Sequence, residues 1–565
     1  MSLFSSIQMA SNTLQADQIG LQVVGQNIAN ANTPSYIREQ VQLEPGPTAK
    51  YGNLLMGTGV EVAGITQQLD SFLEDRLRGA LSDSSDTQTQ AGAYTNLEQI
   101  TGQLSSSDMS TMLTTFFNSV SGVLNNPQDV PTRNSAVLQG ETLTQQINSV
   151  AQGVSQLRSN LNDQVTSMAG DINTLTGEIA TLNLQIAQAQ GGQTNSNQAV
   201  GLLDQRTEDL ENLSNLIDIK VQQEPSGAVA VYSGSTYLVM DNSARTVQAT
   251  NSNDRGISIS NLQITATGGT LDASSGQLHG LLTARDQVLG GFEDQLNNFV
   301  QTLAFEFNKV YSSGQGLSGY QTVTSEFAPT DPTAALNAAG LTYTPTNGSF
   351  QVIVQNTQTG QSTTNTVNVD LTGLGKDTTF QSLTQSLNSI SGLSASIGAD
   401  GKLTISSSSA DEEFAFANDN SGTLAALGIN TFFSGSSAAD LGVNSVLQQD
   451  PGKFAASQGG IGQDTNNAQL LANFANQPIV SQNGDTISTV YDNFMATTTQ
   501  ASSIAQSEST ASQSYLQTLQ GQKTSNSGVN LDEEAINMMT LQSSYAASAK
   551  YITTIQQLLA ILVQL

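Results

Sequence analysis

The chain has 565 residues, of which only 11% are charged against 37% hydrophobic, and it has no Cys. That length allows about three to four domains, and the absence of Cys excludes disulfides and thiolate metal sites. Its 47 acidic residues against 17 basic ones leave a net charge of -30, which repels nucleic acid and anionic membrane, so neither is expected as a partner.

Segment 3–31 places Ile7, Leu14, Leu21 and Ile28 seven apart, with Ala10, Val24 and Ala31 between them. This spacing predicts a helix carrying a stripe of coiled-coil type, interrupted by Asp17. No Lys or Arg precedes Arg38, so the segment lacks the basic start of a Sec signal peptide, and no apolar run nears the ~18 residues that span a membrane. A chain of this kind that leaves the cell needs a route reading a different signal.

Residues 34–66 read as a hairpin region punctuated by Pro and Gly, with strands near 40–43 and 59–65. Residues 67–218 are predicted to be mostly helical. Within them Leu157, Leu161, Val165, Met168, Ile172, Leu175, Ile179, Leu182 and Ile186 fall three to four apart, which predicts one long rod-like helix. From 219 to 271, β-branched stretches at 219–221, 229–232, 237–240 and 257–264 predict a β-domain. Helical periodicity returns over 278–310 and stops at the Gly-rich 312–319.

Residues 320–445 predict an inserted α+β domain, with strands at 351–354, 366–370, 393–397 and 403–406 and a helix at 380–390. Low-charge helix resumes over 466–520. The last segment places Leu531, Met538, Tyr545, Ile552 and Leu559 seven apart, with Leu541, Ile555 and Leu562 three beyond three of them. Gly528 bends the chain before this helix, Asn530 is positioned to cap it with Glu533 reaching back, and Asp532 to Glu534 sit at the positive end of its dipole.

The expected fold is therefore multidomain α+β. N- and C-terminal regions with coiled-coil-like terminal helices form a long helical stem, and two β-rich outer domains are inserted in it. The expected division is 1–33 with 526–565 as terminal helices; 34–218, 272–319 and 446–525 as the stem; 219–271 as a β-domain; and 320–445 as the α+β insert.

Few residues point to chemistry. Gly314, Gly316 and Gly319 fit G-x-G-x-x-G, yet they follow a helix and precede an extended stretch, the reverse of the strand-to-helix context that binds phosphate. His279 is the one histidine, which leaves no pattern for a triad or a His-rich metal site. Asp419 to Gly422 lacks the acidic spacing of a calcium loop and reads as a turn. No catalytic, cofactor or metal residue is assigned. A carboxylate pair for glycan cleavage is defined in space, so a secreted cell-wall hydrolase stays open as an alternative.

The terminal stripes fit an intramolecular helical bundle as well as an assembly surface. Burying each Leu or Ile is worth roughly 1.5–3 kcal/mol, and flanks with almost no charge permit packing on several sides.

The run from Asn27 through Ile28, Asn30, Thr33, Pro34, Ser35 and Tyr36 to Arg38 resembles the N-terminal signature of flagellar axial proteins, with Ser35 where the family usually has Gly before Tyr. The run Ser527 to Ala535, continuing through Gln542, Tyr545 and Ile552 to Leu558, is similar to the end of the hook-associated protein 1 family of these proteins. Leu427 to Phe433, with 436–444, is also similar to members of that family. Together the three runs bracket the chain, and the β-rich regions match loosely.

This resemblance implies a non-enzymatic structural protein of the bacterial flagellum, located outside the cell at the hook–filament junction. It implies export through the flagellar type III channel and assembly into a ring with copies of itself. The implied neighbours are the hook protein and hook-associated protein 3, with a cytoplasmic export chaperone on the C-terminal helix. The terminal segments would form an inner tube through Ile7, Leu14, Leu21, Ile28, Asn30, Pro34 and Tyr36 at one end. At the other, the contacts would be Leu531, Met538, Leu541, Tyr545, Ile552, Ile555, Leu559 and Leu562. A hook or distal rod protein is the nearest alternative.

Overall fold

The computed structural model describes residues 3–33, 36–51, 54–102, 108–190, 199–462 and 464–564. The chain forms two compact units: residues 1–93, 159–286 and 503–565 make the first, and residues 94–158 and 287–502 the second. Each is therefore assembled from segments far apart in sequence.

In the first unit, helix Leu3–Ala29 is followed by an antiparallel hairpin of Glu39–Pro45 on Val60–Gln67, with a bulge between Gln42 and Leu43. A second hairpin, Thr48–Tyr51 on Leu54–Gly57, extends from it. A four-stranded meander then runs through Lys220–Gln223, Val229–Ser233, Thr236–Met240 and Ser243–Ala244. Hairpin Val247–Asp254 on Ile257–Ile264 follows, and its two-residue turn needs positive φ at both centres, met by Arg255 at 48° and Gly256 at 80°.

Asparagines on helix Val130–Gln190 hold these strands by backbone pairing. Asn173 donates to the Val247 carbonyl at 2.8 Å and accepts from its N–H at 2.7 Å, and Asn183 makes the same two bonds to Val229 at 2.8 and 3.0 Å. Strand groups that would otherwise stay unsatisfied are thereby paired. Buried Arg285, in the π-helical turn Ala284–Leu289, donates to the Ser260 carbonyl at 2.6 Å. His279 meets Asp86 at 2.9 Å, a contact between helix Gly276–Thr283 and helix Ser71–Thr101.

In the second unit, helix Gly290–Tyr311 carries Phe307 into an aromatic cluster. Ring centroids of Phe116, Phe432 and Phe433 lie 5.5, 5.6 and 5.3 Å from that of Phe307. Residues 322–417 of this unit build two three-stranded sheets. Gly348–Asn356 lies between Ser362–Val369 and Glu412–Ala417 in one, and Leu403–Ser407 between Thr322–Thr324 and Leu393–Ile397 in the other. Helix Phe380–Asn388 starts with a capping box of Thr379 and Ser382, and buries Phe380 and Leu383 with Phe350, Phe414 and Phe416.

The run from Leu427 to Phe433 is a seam of this unit. Asn430, at φ 52°, accepts from the Tyr320 hydroxyl at 2.8 Å and donates to the carbonyls of Ser312 and Gly314 at 3.0 Å. Asn308 accepts from the N–H groups of Phe432 and Phe433, each at 3.0 Å. Gly314, Gly316 and Gly319 serve the same packing. A Cβ on Gly316 would come within 2.6 Å of the Lys453 Cα, and one on Gly319 within 2.8 Å of the Phe414 carbonyl oxygen. They are glycine because backbone lies against backbone. Asp419 closes a turn, accepting from Leu424 N–H at 2.8 Å and from the Ser421 hydroxyl at 2.7 Å.

Phe307→Ala, which empties the centre of the aromatic cluster, is expected to destabilise the second unit by about 3–5 kcal/mol, read as a lowered midpoint in urea unfolding.

Candidate assembly site at the terminal helices

Helix Leu3–Ala29 packs on helix Leu531–Gln564. Asn27 meets Glu534, while Gly20 lies against Leu541. Residue numbers rise on one helix as they fall on the other, so the pair is antiparallel.

Small residues set the separation. Ser6, Ala10, Ala16, Gly20, Val23 and Val24 are buried, and a Cβ added at Gly20 would sit 3.0 Å from a Leu541 methyl. The predicted Ile7, Leu14, Leu21 and Ile28 are half-buried and flank this seam. Close approach through small side chains displaces the large ones to its edges. Asp17 is buried in the same helix, and its Oδ2 has no hydrogen-bond partner among the described residues.

On the C-terminal helix, Ile555 is buried, and Met538, Leu541, Ile552 and Leu559 are half-buried. Leu531 and Tyr545 are exposed, at 53% and 41%. Ile536, Met539, Tyr551, Leu558 and Ile561 also face outward, as does Phe4 on the N-terminal helix. Leu562 lies in the last turn of the helix. Pro34 lies outside the described residues.

Where the helices meet the hairpin, the two signature runs join. Arg38 Nε donates to Glu534 Oε1 at 2.8 Å, its NH2 lies 2.7 Å from the same oxygen, and its NH1 donates to Glu533 Oε2 at 2.8 Å. The Arg38 N–H donates to the Ser527 carbonyl at 2.9 Å, tying the hairpin to the chain just before the C-terminal helix.

Asn27 completes the clamp. Its side-chain amide donates to Glu534 Oε2 at 3.3 Å and to the Glu39 carbonyl at 2.9 Å, while its oxygen accepts from Glu39 N–H at 3.0 Å and from the Tyr36 hydroxyl at 2.9 Å. Asn30 accepts from the Thr33 hydroxyl at 3.2 Å and donates to the Gln26 carbonyl at 3.1 Å, closing the end of the first helix.

The expected capping box is replaced by this clamp. Asn530 does cap the helix, accepting from Asp532 N–H at 3.0 Å, but Glu533 turns to Arg38 instead of reaching back. A charged partner gives a carboxylate a stronger bond than a backbone N–H does. Glu534, 1% exposed, is the residue on which the contact centres. Periodicity missed Asn27, Arg38 and Glu534 because all three are polar, but the signal was their place inside the two signature runs.

Beside the clamp lies a cavity of about 570 Å³, lined by Gln22, Gln26, Tyr36, Glu39 and Asp204 among others. Burial raises the Tyr36 hydroxyl above its ordinary value, and Glu39, Asp204 and Glu534 add to the effect. Glu39 is also raised by burial. Asp204 is pushed up to about 7, chiefly by burial and further by Glu39, against the lowering effect of the Ile37 N–H and the Gln67 amide. Among the described residues no group of three or more His, Cys, Asp or Glu could hold a metal ion, and no helix is long and apolar enough to cross a membrane.

Comparison with known proteins matches three families along the chain. Residues 7–36 match the family described as flagella basal body rod protein, residues 94–327 the helical domain of flagellar hook-associated protein FlgK, and residues 520–565 the C-terminal family of flagellar basal body rod FlgEFG proteins. Flagellar hook-associated protein 1 of Salmonella typhimurium is 25% identical, over 97% of this chain and 98% of its own length. That of Bacillus subtilis is 27% identical, over 57% and 69%. The solved flagellar hook junction protein FlgK of Burkholderia pseudomallei covers 80% of this chain and all of its own, at 19% identity and TM-score 0.49.

The two terminal helices lie largely within the segments that resemble flagellar basal body rod families. Over nearly its whole length the chain is similar to flagellar hook-associated protein 1, whose family is a structural one of the bacterial flagellum.

Two outcomes are expected. Glu534→Ala leaves Arg38 without its buried partner and should destabilise the helix pair by about 3–5 kcal/mol, seen as faster amide exchange in residues 3–33 and 531–564. The Asp204 carboxyl holds its proton more tightly folded than unfolded, so its contribution is largest at low pH and is lost as pH rises from about 4 to about 7. Asp204→Asn should flatten that part of a plot of melting temperature against pH.

Proposed function

We propose that the chain is a subunit of the junction between flagellar hook and filament, and that it assembles through its terminal helices. One observation carries the reading. The chain ends close on each other through Arg38 and Glu534, and the closed pair still presents Leu531, Ile536, Met539, Leu558 and Ile561 to the outside. Exposed apolar side chains repeated along a helix are surface that other helices cover in an assembly.

In this reading 1–33 and 526–565 form the inner tube, 34–218, 272–319 and 446–525 the stem, and 219–271 and 320–445 the outer modules. Unfolded export through the flagellar type III channel suits a chain with no Cys and few charges. A cytoplasmic chaperone on the C-terminal helix would shield the same apolar face before secretion. The neighbours are further copies in a ring, the hook protein below and hook-associated protein 3 above, and the contacts are the exposed apolar residues, Leu531 and Tyr545 of the predicted stripe with Ile536, Met539, Leu558 and Ile561 beside them. The match of residues 94–327 to a hook-associated helical domain favours this over a hook or distal rod protein.

Deleting 531–565 is expected to leave a soluble, folded remainder that builds no filaments in a strain lacking the native protein. Immunogold labelling of the full chain should show one band at the base of each filament. Filaments built by the truncated chain would refute the reading.

A further inference from the structure

On helix Ser71–Thr101 of the first unit, Phe72 is 69% exposed, and Tyr515 on helix Ile487–Ser527 is 47% exposed. Arg76 lies between them. Its guanidinium carbon is 5.8 Å from the Phe72 ring centre and 5.9 Å from that of Tyr515, and its NH2 donates to the Tyr515 hydroxyl at 2.9 Å. Directly beneath, Leu73, Leu77 and Leu519 are buried, so the exposed group stands on a packed base.

Arg76 makes no ion pair among the described residues, in a chain where acids outnumber bases 47 to 17. Its neighbours in the unit are committed: Arg38 to Glu533 and Glu534, Arg78 to Asp75, Lys523 to Glu74 and Glu211, Arg206 to Asn183 and a carbonyl. A guanidinium near two rings and hydrogen-bonded to one of them has less rotamer freedom left to lose on binding, and its remaining N–H groups match a carboxylate. Phe, Tyr and Arg side chains set on a rigid base are of the kind that dominate interface energies.

We propose that Phe72, Arg76 and Tyr515 form a contact between copies of this chain, in which Arg76 takes a surface carboxylate of a second copy. Charge complementarity selects that occupant. The chain's own surface carries a large excess of carboxylates, and an assembly of identical subunits brings it against this face repeatedly. The contact rests on the reading of the chain as a self-assembling subunit and places a second point of association outside the terminal helices.

The test uses the full chain with a benzophenone photo-crosslinking residue at position 72. Irradiation of the assembled protein should give a product of twice the chain mass. Arg76→Glu and Phe72→Ala should raise the concentration needed for assembly by about tenfold or more with unchanged circular dichroism, and Arg76→Lys should fall between. Crosslinking to a different protein, or assembly of Arg76→Glu and Phe72→Ala at the parent concentration, would overturn the proposal while leaving the junction role intact. Failure of the parent chain itself to assemble would count against the junction role.

Discussion

The pairing of Arg38 with the buried carboxylate of Glu534 is the constraint on which the closed ends of the chain depend. A carboxylate withdrawn from water costs several kcal/mol unless a charge and hydrogen bonds replace its hydration. Here Arg38 supplies the charge, and the Asn27 amide supplies a further bond on the other oxygen. The partners lie 496 residues apart, so this satisfaction arrives only when both ends of the chain are in place. The antiparallel register follows, because Glu534 reaches Arg38 and Asn27 together in one alignment of the two helices.

With the register set, each helix face acquires a different physical task. Small residues and Gly20 form the seam, which lets the helices approach closely, and the larger side chains spread to its edges and to the outer surface. That division leaves Ile536, Met539, Leu558 and Ile561 exposed on the outside of the closed pair. Asp17, buried without a partner for one oxygen, moderates the stability of the pair, since an unmet buried acceptor costs about 1–3 kcal/mol. The raised acids Glu39 and Asp204 beside the clamp act in the same direction above neutral pH.

The second unit shows how residues with a catalytic look serve structure. The glycines at 314, 316 and 319 admit neighbouring backbone, Asp419 closes a turn, and Asn308 and Asn430 hold the return of the inserted sheets to the helix. In the first unit His279 joins two helices. These side chains bind the protein's own backbone and side chains.

Much of this was legible in the sequence because it is local. Helix and strand periods depend on neighbours two to four residues away. The strands at 229–233 and 257–264, the helix at 380–388 and the long helices at 130–190 and 531–564 therefore stood out in the pattern of apolar residues. The signature runs were equally visible. Tertiary structure alone decided which residues of the terminal stripes are buried, since heptads mark several faces and the closest approach goes to the smallest side chains. It also decided the partners of Arg38, Asn27 and Glu534, because a buried ion pair is defined by distance in space, and nothing in a chain's local period records what lies 496 residues away.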